Sequence, residues 1–383
     1  MKRVAVVLLA MATVMPAVAQ LGNDGFYRVQ NAKSKRYATV VDNKAENKNV
    51  TSTTNIDLYA INTRKADEVM SDPGSVFYIE KKGTNDYILS AQGMDTYNLT
   101  NMYLKTRSSD EIAGAYKLYG TGEGMMRFLK EEHNTYFDFH YVTTVTIKEM
   151  SNESCSWYFI PVTDADNQYL GVKTDIEVDG KHYSTLYSSF AYRLSTGMKA
   201  YYIRQCNGHM AEMIEITGNI VPEKTPVIIE CGSDKAADNM ITPLKESPTG
   251  IGQNQLNGVF FCNVIKWANG KTEEPEHPNW NATNYDAMTM RVLGKVNGKL
   301  AFVKAEDLTY LPANKAYLMV NSSAAANIEL VGTHRYPSGI NDLKTEKDNS
   351  KNSIYSLNGN KVSKDNIPTG VYVIDGKKTI IRR

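Results

Sequence analysis

Between Asp24 and about Val172 the chain repeats one pattern: an aromatic residue opening a strand, a polar turn of several residues, then an aromatic residue in another short strand. The copies are Phe26-Tyr27-Arg28-Val29 leading to Tyr37, Phe77-Tyr78-Ile79 leading to Tyr87-Ile88-Leu89, Tyr116-Lys117-Leu118 leading to Phe128-Leu129, and Trp157-Tyr158-Phe159-Ile160 leading to Tyr169-Leu170. Their starts step by roughly 40 to 50 residues, and a unit of short strands that size cannot bury its apolar face alone. It must close with its neighbours, which predicts a barrel.

From about Lys173 to Arg335 the period stays that of strands and turns. Strands are expected around Tyr183 to Tyr192, Met198 to Arg204, Met213 to Ile216 and Val227 to Glu230, with Gly197, Gly218 and Pro226 as breaks. Short strands, frequent turns and no long amphipathic stretch predict a β-sandwich-like body. The last stretch, Ser353 to Arg383, places Asn358-Gly359 and Asp375-Gly376, pairs that tolerate positive φ, between runs of strand formers. It reads as a small β unit behind a polar linker. The expected organisation is all-β: signal peptide 1–19, barrel 20–172, sandwich-like body 173–335, linker 336–352 and tail 353–383.

Lys2 and Arg3 lead an apolar run from Val4 to Val14, followed by Ala17-Val18-Ala19. That is the layout of a secretory signal peptide, with cleavage expected between Ala19 and Gln20. The run is too short for a permanent membrane span, and no later segment is long and apolar enough. Export to the outer-membrane surface, the extracellular space or the periplasm is expected.

Forty-three basic residues stand against 42 acidic ones, a net charge of +1. Nucleic-acid binding needs a gathered basic excess, so it is not expected. Twenty-four tyrosines against ten phenylalanines suit half-exposed β surfaces and contacts with sugars or proteins. Cys155, Cys206, Cys231 and Cys262 lack metal-site spacing. In an exported chain Cys206 and Cys231 are the first candidate disulfide, with buried free thiols as the alternative.

Three local sequences carry resemblances. FYRVQNAKSKRYATV, residues 26–40, is similar to the start of a ricin-type β-trefoil repeat, which implies a trefoil barrel of three repeats over 20–172, with the fourth copy either its closing strand or an argument against the assignment. Lectins of that family bind sugar through an aspartate and a stacking aromatic in each repeat, supported by Q-x-W. This chain has no Q-x-W; Asp42 follows the first Tyr37 strand, and Cys155-Ser156-Trp157 holds a comparable place. HYSTLYSSFAYRLSTGMKAYYI, NIVPEKTPVIIE and VNGKLAFVKAEDLTYLPANKAYLMV resemble a β module of secreted Bacteroidetes proteins. LNG-x-K-V followed by P-x-G-V-Y-V-I-x-G-K-K resembles the C-terminal sorting domains of type IX secretion cargo. The last resemblance implies recognition of the tail by export machinery.

Function is expected to be binding. Trp267 and Trp280, in the polar segment Lys266 to Tyr285 with Glu273, Glu274, Glu276 and His277, and Trp157 are the candidate ligand-stacking residues. The expected partner is a glycan or a surface protein, with no catalytic residue, no metal and no cofactor assigned. The six histidines show no metal spacing; Glu131, Glu132, His133, Asp138 and His140 form only a polar cluster. No G-x-S-x-G is present. The alternatives are a secreted hydrolase of polysaccharide or peptide, whose carboxylate pair has no local signature, and a structural matrix or appendage protein.

Overall fold

The computed structural model describes residues 23–33, 35–40, 61–64, 66–83, 86–90, 103–108, 115–122, 125–132, 136–141, 156–165, 168–260, 283–333, 354–356, 361–362, 369–374 and 377–381. It is built almost wholly of β-strands, and the chain forms two compact units, 1–334 and 335–383.

The first ten strands are β1 (Gly25–Asn31), β2 (Tyr37–Val40), β3 (Ile61–Arg64), β4 (Phe77–Lys81) and β5 (Asp86–Ser90). They continue with β6 (Tyr103–Ser108), β7 (Tyr116–Gly122), β8 (Met125–Glu132), β9 (Tyr136–Tyr141) and β10 (Ser156–Pro161). Six of them close a ring of antiparallel pairs, in the order β1, β4, β5, β6, β7, β10 and back to β1. The hairpins β2–β3 and β8–β9 stand off it and pair with each other at Asn62 and Tyr136. The recurring aromatics open β1, β4, β7 and β10, and the fourth copy is the closing strand. Closure leaves these six strands with no free edge.

Successive residues of a strand point to opposite faces, and β1 uses both. Tyr27 and Val29 are buried, with Tyr27 edge-on to Phe159 at 6.3 Å between ring centroids. On the other face, Phe26 packs against Tyr78 and against Phe190 of the following body, at 5.1 and 5.5 Å. Arg28 shares that face and is fully buried. Its Nε donates to Ser75 Oγ (3.0 Å), Nη1 to the Gln168 carbonyl (3.3 Å), and Nη2 to the Val69 and Tyr169 carbonyls (3.0 and 2.9 Å). Burial lowers its pKa to about 10, with Asp72 opposing the shift, so it stays charged at neutral pH.

Asp72 caps the short 3-10 turn Pro73–Ser75 by accepting from Gly74 N at 2.8 Å. It also accepts from the Thr39 hydroxyl, and from Asn314 Nδ2 at 3.0 Å. One carboxylate thus ties β2 to Asn314, which is 242 positions along the chain from Asp72.

The rest of the first unit begins with β11 (Leu170–Gly171), β12 (Ile176–Val178), β13 (Lys181–Leu186), β14 (Ala191–Leu194) and β15 (Lys199–Cys206). Next come β16 (Met210–Glu215), β17 (Ile220–Val221), β18 (Val227–Cys231), β19 (Met240–Leu244) and β20 (Leu256–Val259). It ends with β21 (Met290–Val296), β22 (Lys299–Val303), β23 (Lys315–Met319) and β24 (Asn327–Val331). Strands β11, β19, β14 and β17 make a small sheet; the other ten make a large one, in the order β12-β13-β18-β15-β16-β24-β22-β21-β23-β20. The expected strand from Tyr183 to Tyr192 is two strands, β13 and β14, in different sheets. A residue in the left-handed region breaks the chain at Gly197 and Gly218.

Strand β18 explains the layering. All five of its residues are buried. Val227, Ile229 and Cys231 meet Leu170, Tyr192, Leu194, Val221 and Ile241 of the small sheet, a core that also takes in Val76 from just before β4. Ile228 faces the opposite way, onto Ile203, Phe302, Leu318 and Ile328 from across the large sheet. The large sheet therefore curls round a second core while its back packs on the small sheet.

In the second unit, β25 (Ile354–Ser356), β26 (Lys361–Val362), β27 (Gly370–Ile374) and β28 (Lys377–Ile381) form an antiparallel sheet in the order β26-β25-β27-β28. Among its described residues, Ile354 and Tyr372 are buried. The expected turn pairs Asn358-Gly359 and Asp375-Gly376 lie outside the described residues.

Removing one partner from a buried charged network costs about 3–5 kcal/mol. Asp72→Ala is therefore expected to lower the unfolding free energy measured by urea titration by an amount of that order. Asp72→Asn, whose Oδ1 can still accept from Gly74 N while its Nδ2 donates to the Thr39 hydroxyl, should lose less.

Candidate functional site

The curl of the large sheet brings β13 and β23 side by side although no ladder joins them. Edges that meet in this way leave backbone groups in need of partners. Ala316 N donates to Thr185 Oγ1 at 3.0 Å, Tyr187 N donates to the Asn314 carbonyl at 2.9 Å, and the Lys315 ammonium donates to Ser184 Oγ. Asn314 adopts φ +59°, a left-handed conformation asparagine tolerates better than most residues. This seam is closed by one backbone hydrogen bond and by side chains where a barrel would use a ladder.

Two clefts meet there. The larger, about 210 Å³, takes its apolar wall from Ile176, Val259, Val292, Leu308, Leu311 and Pro312, and its polar groups from Asp175, Ser184, Thr185 and Lys315. The smaller, about 190 Å³, shares the last three and adds Glu68, Asp72, Lys173 and Asn314. Burial pushes the Lys315 ammonium below its ordinary range, with Asp175 opposing. An amine so tuned beside a serine oxygen has the form of a base and nucleophile. Ser184, however, is only 1% exposed, and the group the clefts present is the ammonium.

A second feature lies on the other face of β20. The Tyr187 ring stacks on Phe260 at 4.1 Å with an 18° tilt, and both residues keep part of their surface. A Cβ on Gly258 would sit 2.2 Å from the Tyr187 ring, so glycine is what lets the ring lie on the strand.

Inside the curl, Glu230 accepts from Lys181 Nζ (2.6 Å), Tyr201 OH (2.9 Å) and Tyr183 OH (3.3 Å). Burial raises its pKa, but those three donors outweigh burial and hold the carboxyl below the usual range. Burial, reinforced by Glu230, pushes Tyr183 up to about 12.

Trp267 and Trp280 lie outside the described residues, as do Ala19, Gln20, Asp42, Cys155 and Cys262. Trp157 is 0% exposed, on β10, and has no face to offer a ligand; the ring needs it as filling. The Cys206–Cys231 pairing is corrected: both are free thiols. Strand register pairs Lys199 with Glu230, which puts the two cysteines at opposite ends of β15 and β18. That is about 25 Å at 3.3 Å per residue, far beyond disulfide reach. Burial raises both thiols, Cys231 to about 12. Among the described residues no cluster of three or more His, Cys, Asp or Glu could hold a metal ion, and no helix is long and apolar enough to cross a membrane.

Sequence reasoning missed Lys315, Ser184, Tyr187, Gly258 and Glu230. Two left a trace, since Lys315 opens an otherwise apolar strand and Glu230 closes the run Val227-Ile228-Ile229.

A depressed carboxyl pKa contributes stability above its unfolded value, near 4.5, that is lost as pH falls through the folded value. Glu230→Gln should flatten that acid loss in a melting series from pH 7 to 3. Gly258→Ala must displace Tyr187 and is expected to cost about 1–3 kcal/mol, with a changed near-ultraviolet tyrosine signal. No protein-family model matches the chain, and no curated protein does.

Proposed function

We propose that this is an exported, non-catalytic binding protein of secreted Bacteroidetes type, which recognises a glycan at a cell surface. The observation that carries the proposal is the Tyr187–Phe260 stack, a partly exposed aromatic slab held flat by Gly258. Aromatic faces of this kind suit the apolar face of a sugar ring. Phe260 lies six residues before the start of the polar segment Lys266 to Tyr285 that carries Trp267 and Trp280, which supplies further candidate stacking groups.

The first body is proposed to be trefoil-like. Its six-strand ring and the two hairpins standing off it support that assignment. Delivery is assigned to the signal peptide ending at Ala19 and to the C-terminal sheet, whose strands follow the sorting-domain-like sequence. A surface protein is the other class of partner.

The test is a glycan array and a protein pull-down with folded protein lacking residues 1–19. Glycan binding is expected, and Tyr187→Ala should weaken it by about 2- to 12-fold, the worth of one stacked pair. An empty array, or glycan affinity untouched by Tyr187→Ala, would reject the glycan proposal. A pull-down partner that binds with the array empty would select the surface-protein class.

A further inference from the structure

We infer that the larger seam cleft is a binding site for a small carboxylate bearing one apolar ring or a short apolar chain, with the Lys315 ammonium holding the carboxylate. It is a site separate from the aromatic slab. Val259 and Lys315 are register partners on one face of the sheet, whereas Gly258, under Tyr187, is directed to the other.

Three observations carry the inference. First, an ammonium has three donors, and among the described residues Lys315 Nζ makes one hydrogen bond, to Ser184 Oγ. No carboxylate of the described residues lies within 4.0 Å of it, so the charge is held in the seam without an ion-pair partner. Buried charges are ordinarily paired, since an unpaired one is expensive. A ligand anion supplies the missing charge.

Second, the sign is set by Lys315. Asp175, the acidic residue of the larger cleft, is exposed, and water screens it. Lys315 is desolvated, which strengthens its attraction for an anion. Ser184 and Thr185 add hydroxyls beside it.

Third, the size and chemistry of the wall select the body of the ligand. A cavity of about 150 Å³ holds benzene, and this cleft has about 210 Å³. Its wall is mostly aliphatic, from Ile176, Val259, Val292, Leu308, Leu311 and Pro312, with Tyr317 as its one aromatic residue. One cation against an apolar wall suits a monoanion with an apolar body. A phosphate would bring more charge and no group for the wall.

The test titrates the full chain with benzoate, with benzyl alcohol (the same ring without charge) and with inorganic phosphate, read by calorimetry. Benzoate should saturate with a dissociation constant near 1 mM or below, at least about tenfold tighter than benzyl alcohol, and phosphate should not displace it. Lys315→Met should abolish the preference for benzoate while keeping or raising the thermal midpoint, because it removes a desolvated charge. Val292→Phe, which fills the cleft and leaves Lys315 in place, should weaken benzoate binding and guards against a folding defect in the first variant. Equal affinity for benzoate and benzyl alcohol, displacement by phosphate, or benzoate affinity unchanged in either variant would overturn the inference. Tyr187→Ala should leave benzoate binding unchanged, so this site and the glycan slab succeed or fail separately.

Discussion

Arg28 is the point on which the first unit turns. A guanidinium with no solvent contact is tolerated only because three backbone carbonyls and a serine hydroxyl receive it, from residues 69, 75, 168 and 169. Those acceptors sit on the connection before β4 and on the link that leaves the ring. Setting the arginine therefore sets both connections. Asp72, the nearby carboxylate, does the same at longer range, since its bonds to Thr39 and Asn314 place the 3-10 turn between the ring and the curled sheet. The apolar core next to it runs from Phe26 and Val76 into the small sheet without interruption. The two β bodies are thus joined by buried polar bonds and shared apolar packing.

The curl of the large sheet follows from a similar constraint. Strand β18 is buried on both faces, so it must be covered twice. The small sheet covers one face, and the large sheet bends round to cover the other with Phe302, Leu318 and Ile328. Bending brings together the parts of β13 and β23 that the ladders to β12 and β21 leave unpaired. Their register does not produce a ladder, so hydroxyls, an asparagine and a lysine satisfy the gap. The clefts are the consequence. A fully paired barrel would have left no cavity at that place and no reason for a lysine to be buried there.

Much of the β architecture was legible because its signals are local. Aromatic residues at 26, 77, 116 and 157 mark strand openings, and all four open strands of the ring. Turn pairs read as hairpin signals in the tail have counterparts at Asp179-Gly180 and Asn297-Gly298, both with positive φ, which close β12–β13 and β21–β22. What local pattern could not show was which side chain goes in. Trp157, polar-flanked and apparently available, fills the ring. Cys206 and Cys231 sit on neighbouring strands, but antiparallel register carries them to opposite ends. Tyr183 to Tyr192 reads as one strand, yet a bend sends its halves to different sheets.

The amino-acid sequence by itself determined the β class and the openings of the four aromatic-led strands, because each depends on residues within a few positions of one another. Tertiary structure alone decided the candidate sites. The Tyr187–Phe260 slab needs Gly258 from β20 beneath it, and the Lys315 cleft needs β13 and β23 to meet. Residues 184 and 315 are 131 positions apart and no period links them. They become neighbours only when burying both faces of one central strand forces a sheet to curl.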